Sequence, residues 1–497
     1  MAPKIHRHEL KLSHGPAWGG QRKTFLTSVA FSFVLLQLLF LANMSLLYGS
    51  QYRDAYRTHH MKVLAVDYDG GVVGESLLGA YRQLKGDTFP TLDIRPASEY
   101  PDYGTIKEAV CQGHFWAAVY SLSGASERLS AALQGGTAAT SYNSSNAIRY
   151  VYNEARYPTT EAGYVTADLQ QLIAASRTVY NQLNGTSAYG LVNQSDSAAI
   201  EAFLDPFTAS SIDLKPTEQG TRVLYNTASV ALSIVQQFFF IMAINGISNG
   251  LSLFSRLTVQ TNGLIRLGFA ATYTFIGSLC WTGYIWAYKE DWALTGGQFM
   301  LIWMLGWLFM HINFLILDTA SVLIPMQFMP FFVLTWVILN ITISLANFDQ
   351  SPSFYKYGYA LPAHNWYETF VTITSDGCYN RLYRNLPVLF AWFILGHLLV
   401  VPATVHRCRA ANKQVEEEEK NKLERQRTHN SHREEKGADA DGEGSNRHSA
   451  DAESAETAST SDSDTLSARR TRSNSVAYGP SMPLAFAALS RRLTQNE

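Results

Sequence analysis

The chain has 497 residues, of which 47% are hydrophobic, 12% aromatic and only 16% charged, with a formal net charge of −2 and four cysteines. The near-neutral balance argues against a nucleic-acid binder, and so few cysteines exclude a disulfide-dense secreted module. The apolar residues are segregated into runs too long for soluble cores, so the sequence reads as a polytopic α-helical membrane protein with soluble parts.

Residues 1–24 form a short segment that carries Lys4, Arg7, Lys11, Arg22 and Lys23. Residues 25–48 follow without a charge, long enough to cross a hydrocarbon core of about 30 Å as a helix. Tyr48-Gly49-Ser50 is a poor cleavage site, and the apolar run is too long for a signal-peptide core, so this is an uncleaved signal anchor.

Residues 49–227 contain enough chain for one folded domain, and short β-rich runs alternate there with helical patterns, which predicts an α/β class. KVLAVD at 62–67 reads as a buried strand, Asp69-Gly70-Gly71 as a turn, 74–84 as a helix, and 115–121 and 148–153 as further strands. Apolar residues at 165, 169, 172, 173, 179 and 183 share one helical face. Asp67 and Asp69 would also suit a carboxylate site, but Asp-x-Asp-Gly-Gly is what a strand-to-helix turn uses, and that structural reading is preferred.

Five further apolar runs occupy about 228–248, 264–288, 298–317, 322–345 and 386–405, giving six spans as one plus five. Basic residues before the first span, Arg256 and Arg266 near the second-to-third connection, and Arg407, Arg409 and Lys413 after the last span orient both termini toward the cytoplasm. The sequons at Asn143, Asn184 and Asn193 all fall in the domain placed outside, where they are candidate N-glycosylation sites.

Polar side chains in hydrocarbon tend to face a protein interior or a wet cavity. Gln236, Gln237, Asn245, His311, Asn340 and His397 are therefore candidates for a transport path, although interhelical hydrogen bonding is the commoner role for Asn and Gln. Asn313 and Asp318, the latter at the cytoplasmic end of span four, are further polar positions, and the two histidines would permit proton coupling. Pro325 and Pro330 are expected to kink the fifth span.

The external segment 346–385 is aromatic-rich and holds Cys378; with Cys111 it lies on the oxidising side, so a bridge between the two is open. His364 is the most enzyme-like residue outside the membrane, but no nucleophile or metal partner lies near it in sequence, which favours a packing role. Cys280 is inside a span. Cys408, just beyond the last span, is either a palmitoylation site or an ordinary thiol. Residues 406–497 read as a disordered cytoplasmic tail, helical at most at its start, with phosphorylation candidates at Ser461, Ser463, Ser473 and Ser475.

No phosphate-binding loop, H-E-x-x-H, C-x-x-C or G-x-S-x-G occurs, so no catalytic residue, metal or cofactor is called for and a non-enzyme is expected. The blocks VDYDGGVVG at 66–74, QGHFWAAVYSLSGAS at 112–126, YVYNEARYPT at 150–159, LKPTEQGTRV at 214–223 and YGYALPAHN at 357–365 resemble those of the fungal nitrosoguanidine-resistance membrane proteins, the DUF3533 family. That family is distantly similar to phage-infection proteins and ABC-2 permeases.

The resemblance covers about residues 25–408 and implies a plasma-membrane protein of toxicant resistance, acting by export or by control of phospholipid asymmetry. It supplies no catalytic residues. Membrane lipid is the expected partner, with a lipid flippase or an ATPase subunit as further options. The competing reading is a non-transporting scaffold or regulator.

Overall fold

A computed structural model describes residues 21–217 and 219–438. Among these, six helices are long and apolar enough to cross a membrane: Lys23–Ser50 (span one), Ala228–Gly250 (two), Val259–Ala287 (three), Gly296–Leu323 (four), Met326–Leu345 (five) and Leu382–Thr428 (six). Local chemistry sets several of their starts. Thr258 accepts from the Thr261 amide at 3.2 Å before span three, and Thr295 with Gln298 forms a capping box before span four. Span one lies on span five, where Asn43 Nδ2 donates to Thr335 Oγ1 at 3.2 Å.

One expectation changes here. Pro325 and Pro330 do not kink the interior of a span: Pro325 lies in the short connection after Leu323, and Pro330 occupies the first turn of the helix Met329–Leu345. A helix makes no intrahelical bond from its first amides, so proline costs nothing there. Among the described residues, the prolines in a helix interior are Pro387 and Pro402 of span six.

The helical start allowed for the tail is a continuation of the last helix, which runs from Leu382 to Ala438, rather than a separate segment beginning at 406. Its charged part is rich in helix formers, with Glu416 and Glu418 placed four residues before Lys420 and Lys422. The four candidate phosphorylation serines and Lys4, Arg7 and Lys11 lie outside the described residues.

Residues 62–213 build a five-stranded sheet in the order β2-β1-β3-β4-β5, from Lys62–Asp67 (β1), Thr91–Arg95 (β2), Ala117–Ser121 (β3), Ile148–Tyr152 (β4) and Ala209–Asp213 (β5). All neighbours run parallel except β3 and β4. Strands β1 and β3 are apolar on both sides because both faces are covered. On one face Val63, Ala65 and Val119 pack with Leu77 of α1 (Val72–Leu84) and with Leu172 and Tyr180 of α3 (Ala167–Leu191). On the other, Leu64, Val66 and Tyr120 meet Ile106 and Val110 of α2 (Tyr103–Cys111).

The turn after β1 has a structural role. Asp67 Oδ1 accepts from the amides of Asp69 and Gly70, each at 3.0 Å, and also from the Ser121 hydroxyl. Asp69 accepts from the Ser126 amide at 2.8 Å and from its hydroxyl. Gly70 takes a φ of +60°, and a Cβ on Gly74 would sit 2.2 Å from Asp67 Oδ1. Both carboxylates are therefore committed to closing the turn.

The sheet domain is fastened to the segment between spans five and six. Cys111, at the end of α2, is bridged to Cys378 across 267 residues of chain, and the Tyr379 amide donates to the Cys111 carbonyl. The Arg156 guanidinium stacks 3.6 Å from the Trp116 ring and 4.3 Å from the Tyr379 ring. Trp116 Nε1 donates to Asp349 at 2.8 Å.

Within this segment α4 (Pro362–Thr374) is buried along almost its whole length. His364 is not without a partner: its Nε2 lies 3.3 Å from Glu368 Oε1, one turn on. Arg384 of span six pairs with the other carboxylate oxygen, and the Tyr379 hydroxyl donates at 3.1 Å. Burial alone would raise the Glu368 carboxyl, but His364 and Arg384 outweigh it and hold it at about 2. This is a structural clasp.

The bridge joins elements far apart in sequence, so a single proteolytic cut between residues 112 and 377 should leave fragments that separate only after reduction. Replacing Cys111 and Cys378 by Ser should abolish the linkage and cost about 2–4 kcal/mol of stability. Fragments that separate on a non-reducing gel without thiol would refute the bridge.

Candidate functional site

Three helices of the membrane domain meet at buried charges. Asp318, near the end of span four, is 1% exposed. Arg266 of span three donates to it through Nε at 2.8 Å and through Nη2, and Arg407 of span six donates through Nη2 at 2.9 Å. Span two joins through Asn245, whose Oδ1 accepts from Arg266 Nη2 at 2.6 Å, and Ser321 accepts from Arg407 at 3.0 Å.

Two guanidinium groups thus share one carboxylate, leaving a net charge of +1 in the cluster. The buried Nη1 groups of both arginines have no hydrogen-bond acceptor among the described residues.

Beside this cluster a cavity of about 470 Å³ opens between spans three, four and six. Its walls are mostly apolar, including Leu264, Leu267, Phe314 and Val401; Arg266, Asp318 and His397 are also in the lining. Gly263 contributes open space, since a Cβ there would meet nothing within 4 Å. Gly396 does the opposite: it lets span six lie directly on Leu315, whose Cβ would be 2.9 Å from an added Cβ. Leu264 and Val401 are 71% and 62% exposed, so the cavity is open on its side, where a membrane's acyl chains would lie. A second cavity of about 190 Å³ lies between spans two and three, and Arg266 borders both.

The polar residues expected to share one path are distributed. His397 lines the larger cavity, and its Nε2 faces His311 Nε2 at 3.5 Å, with Thr274 Oγ1 3.4 Å from His311 Nδ1. Asn245 belongs to the ion cluster. Gln237 donates to its own helix at Ser233, and half-buried Gln236 lies against Gly277. Asn340 accepts from the Ala363 amide at 3.3 Å, tying span five to the start of α4, while Asn313 accepts from Trp336 Nε1 at 2.9 Å. These last residues connect helices and line no described cavity.

Arg266 and Arg407, read from sequence as markers of orientation, are the site's main charges. The signal that identifies them is an arginine inside an apolar run matched by an aspartate at the edge of another. Cys408 is buried, with Asn262 Nδ2 3.5 Å from its sulfur.

The family described as "Protein of unknown function (DUF3533)" matches residues 32–398. An uncharacterized endoplasmic reticulum membrane protein of Saccharomyces cerevisiae is 25% identical over 421 residues, covering 78% of this chain and 81% of that protein. No solved structure matches.

Removing the one carboxylate should be more damaging than removing either arginine. Asp318→Asn strands two buried cations and is expected to cost about 3–5 kcal/mol, whereas Arg266→Gln leaves a one-to-one pair. Thermal unfolding of the purified protein checks this, and the double variant should recover part of the loss. Equal damage from the two single changes would refute the charge argument.

Proposed function

The chain belongs to the DUF3533 family, and we propose that it is a membrane protein of toxicant resistance that moves apolar or amphipathic molecules, by export or by redistributing phospholipid between leaflets. The observation that carries this reading is the laterally open cavity with mostly apolar walls and the charged Arg266 and Asp318 in its lining. Its size falls in the range of about 300–1,000 Å³ typical of small-molecule sites, and its walls offer a polar solute few partners. The reading is non-enzymatic and assigns no catalytic residue or cofactor. Active export would draw on an ion gradient or an ATPase partner.

Both termini are placed in the cytoplasm and the sheet domain outside it. The Cys111–Cys378 bridge supports this, since such bridges persist in oxidising compartments. Asn143 and Asn193 are exposed and held in local turns, their Oδ1 atoms accepting from Ser145 and Ser195 amides at 2.9 and 3.1 Å. Asn184 instead lies within α3. We place the protein in the plasma membrane; the yeast relative is named for the endoplasmic reticulum membrane, and microscopy of a tagged chain separates the two.

A second reading is favoured by one observation. Span six continues as an exposed, charged helix as far as Thr428, a surface suited to a partner. On that reading the chain is a scaffold or regulator of a flippase or another transporter.

The test is movement of a fluorescent phospholipid and a labelled toxicant in sealed proteoliposomes that contain only the purified chain. Movement supports transport. A defect confined to cells lacking the protein, with no movement in vesicles, makes it a regulator. For sidedness, Asn143→Gln and Asn193→Gln should each remove one glycosidase-sensitive mobility step, while Asn184→Gln should remove none. A chain with no glycan at either position would count against the orientation.

A further inference from the structure

We propose that the cavity between spans three, four and six binds an amphiphile whose anionic headgroup sits at Arg266 and whose acyl chain lies along Leu264, Leu267 and Val401. This rests on the reading above and names the class of molecule.

Three observations converge. The Arg266–Asp318–Arg407 cluster carries one uncompensated positive charge among membrane helices. An unneutralised charge there is costly, and phosphate or carboxylate is the natural counter-ion of a guanidinium fork. Arg266, 5% exposed, lines the cavity and keeps a buried Nη1 without an acceptor; Arg407, just outside the lining, also has a buried Nη1 without one. The remaining walls are mostly aliphatic or aromatic, with Asp318, Gln260, His397 and Thr404 as the polar exceptions, and they open sideways at Leu264 and Val401, so a molecule already dissolved in lipid can enter without crossing water.

A neutral drug would leave the guanidinium groups uncompensated. A small soluble anion would leave the apolar walls unused. An anionic acyl-chain amphiphile satisfies both ends. Phosphatidylserine and a free fatty acid share this chemistry.

The test uses the purified full-length chain and three labelled probes: oleate, dioleoyl phosphatidylserine and dioleoyl phosphatidylcholine. Oleate, phosphatidylserine or both should bind more tightly than phosphatidylcholine. Binding of oleate alone assigns the site to fatty acids; binding of phosphatidylserine identifies a phospholipid site.

Arg266→Gln, which leaves Asp318 paired with Arg407, should weaken the anionic probes by about tenfold or more, the scale of a lost charge-assisted hydrogen bond, and leave phosphatidylcholine unchanged. Gly263→Trp should fill the cavity without a backbone clash and abolish binding. Gly268→Trp, on the same helix with open space around its Cβ and outside the cavity lining, should bind as the native chain does.

Equal affinity for all three lipids, or binding indifferent to both Arg266→Gln and Gly263→Trp, overturns the proposal. Lipid movement in proteoliposomes that persists in Gly263→Trp also overturns it while leaving the transport reading intact. Selective anionic binding without movement supports the site and removes the transport reading instead.

Discussion

The membrane domain depends on the neutralisation of Asp318. A carboxylate placed near the end of an apolar helix is tolerated only if cations come to it, and Arg266 and Arg407 come from two different spans. Asn245 adds a fourth helix. The pairing therefore fixes how spans two, three, four and six stand relative to one another. It also leaves one positive charge in excess beside the cavity that spans three, four and six enclose. Packing and chemistry have the same origin here: the residues that assemble the bundle also give the cavity its polarity.

At the other end of the molecule, different forces join the sheet domain to the bundle. Arg156 is stacked between Trp116 and Tyr379, a covalent bridge lies beside it, and the His364–Glu368–Arg384 clasp anchors α4 to span six. These contacts run from the sheet, through the segment between spans five and six, to the start of the helix that carries His397 and Arg407. Gly396, against Leu315, keeps span six close to span four.

Much of the fold is legible in the chain. The apolar runs mark the six spans because a helix crossing lipid must be apolar along its length. The strands β1, β3 and β4 are visible as short runs enriched in β-branched, aromatic and small apolar residues. The edge strands β2 and β5 are not: TLDIR and ASSID are largely unburied, and their pairing comes from the sheet beside them. Pro325 and Pro330 mislead because an apolar run hides the point at which one helix stops and the next begins. The site was legible only in pieces, since Arg266, Asp318 and Arg407 are 52 and 89 residues apart in their pairings.

The sequence by itself determined the membrane spans, most of the strands of the sheet, the carboxylate turn after β1 and the family, because each of these is written in local composition or in contiguous blocks. Tertiary structure alone decided that Cys111 reaches Cys378, that Glu368 finds Arg384, and that two arginines converge on one aspartate beside an apolar cavity. Those are relations between distant segments, set by helix crossing and burial, and no local pattern of residues encodes which partner a buried charge will meet.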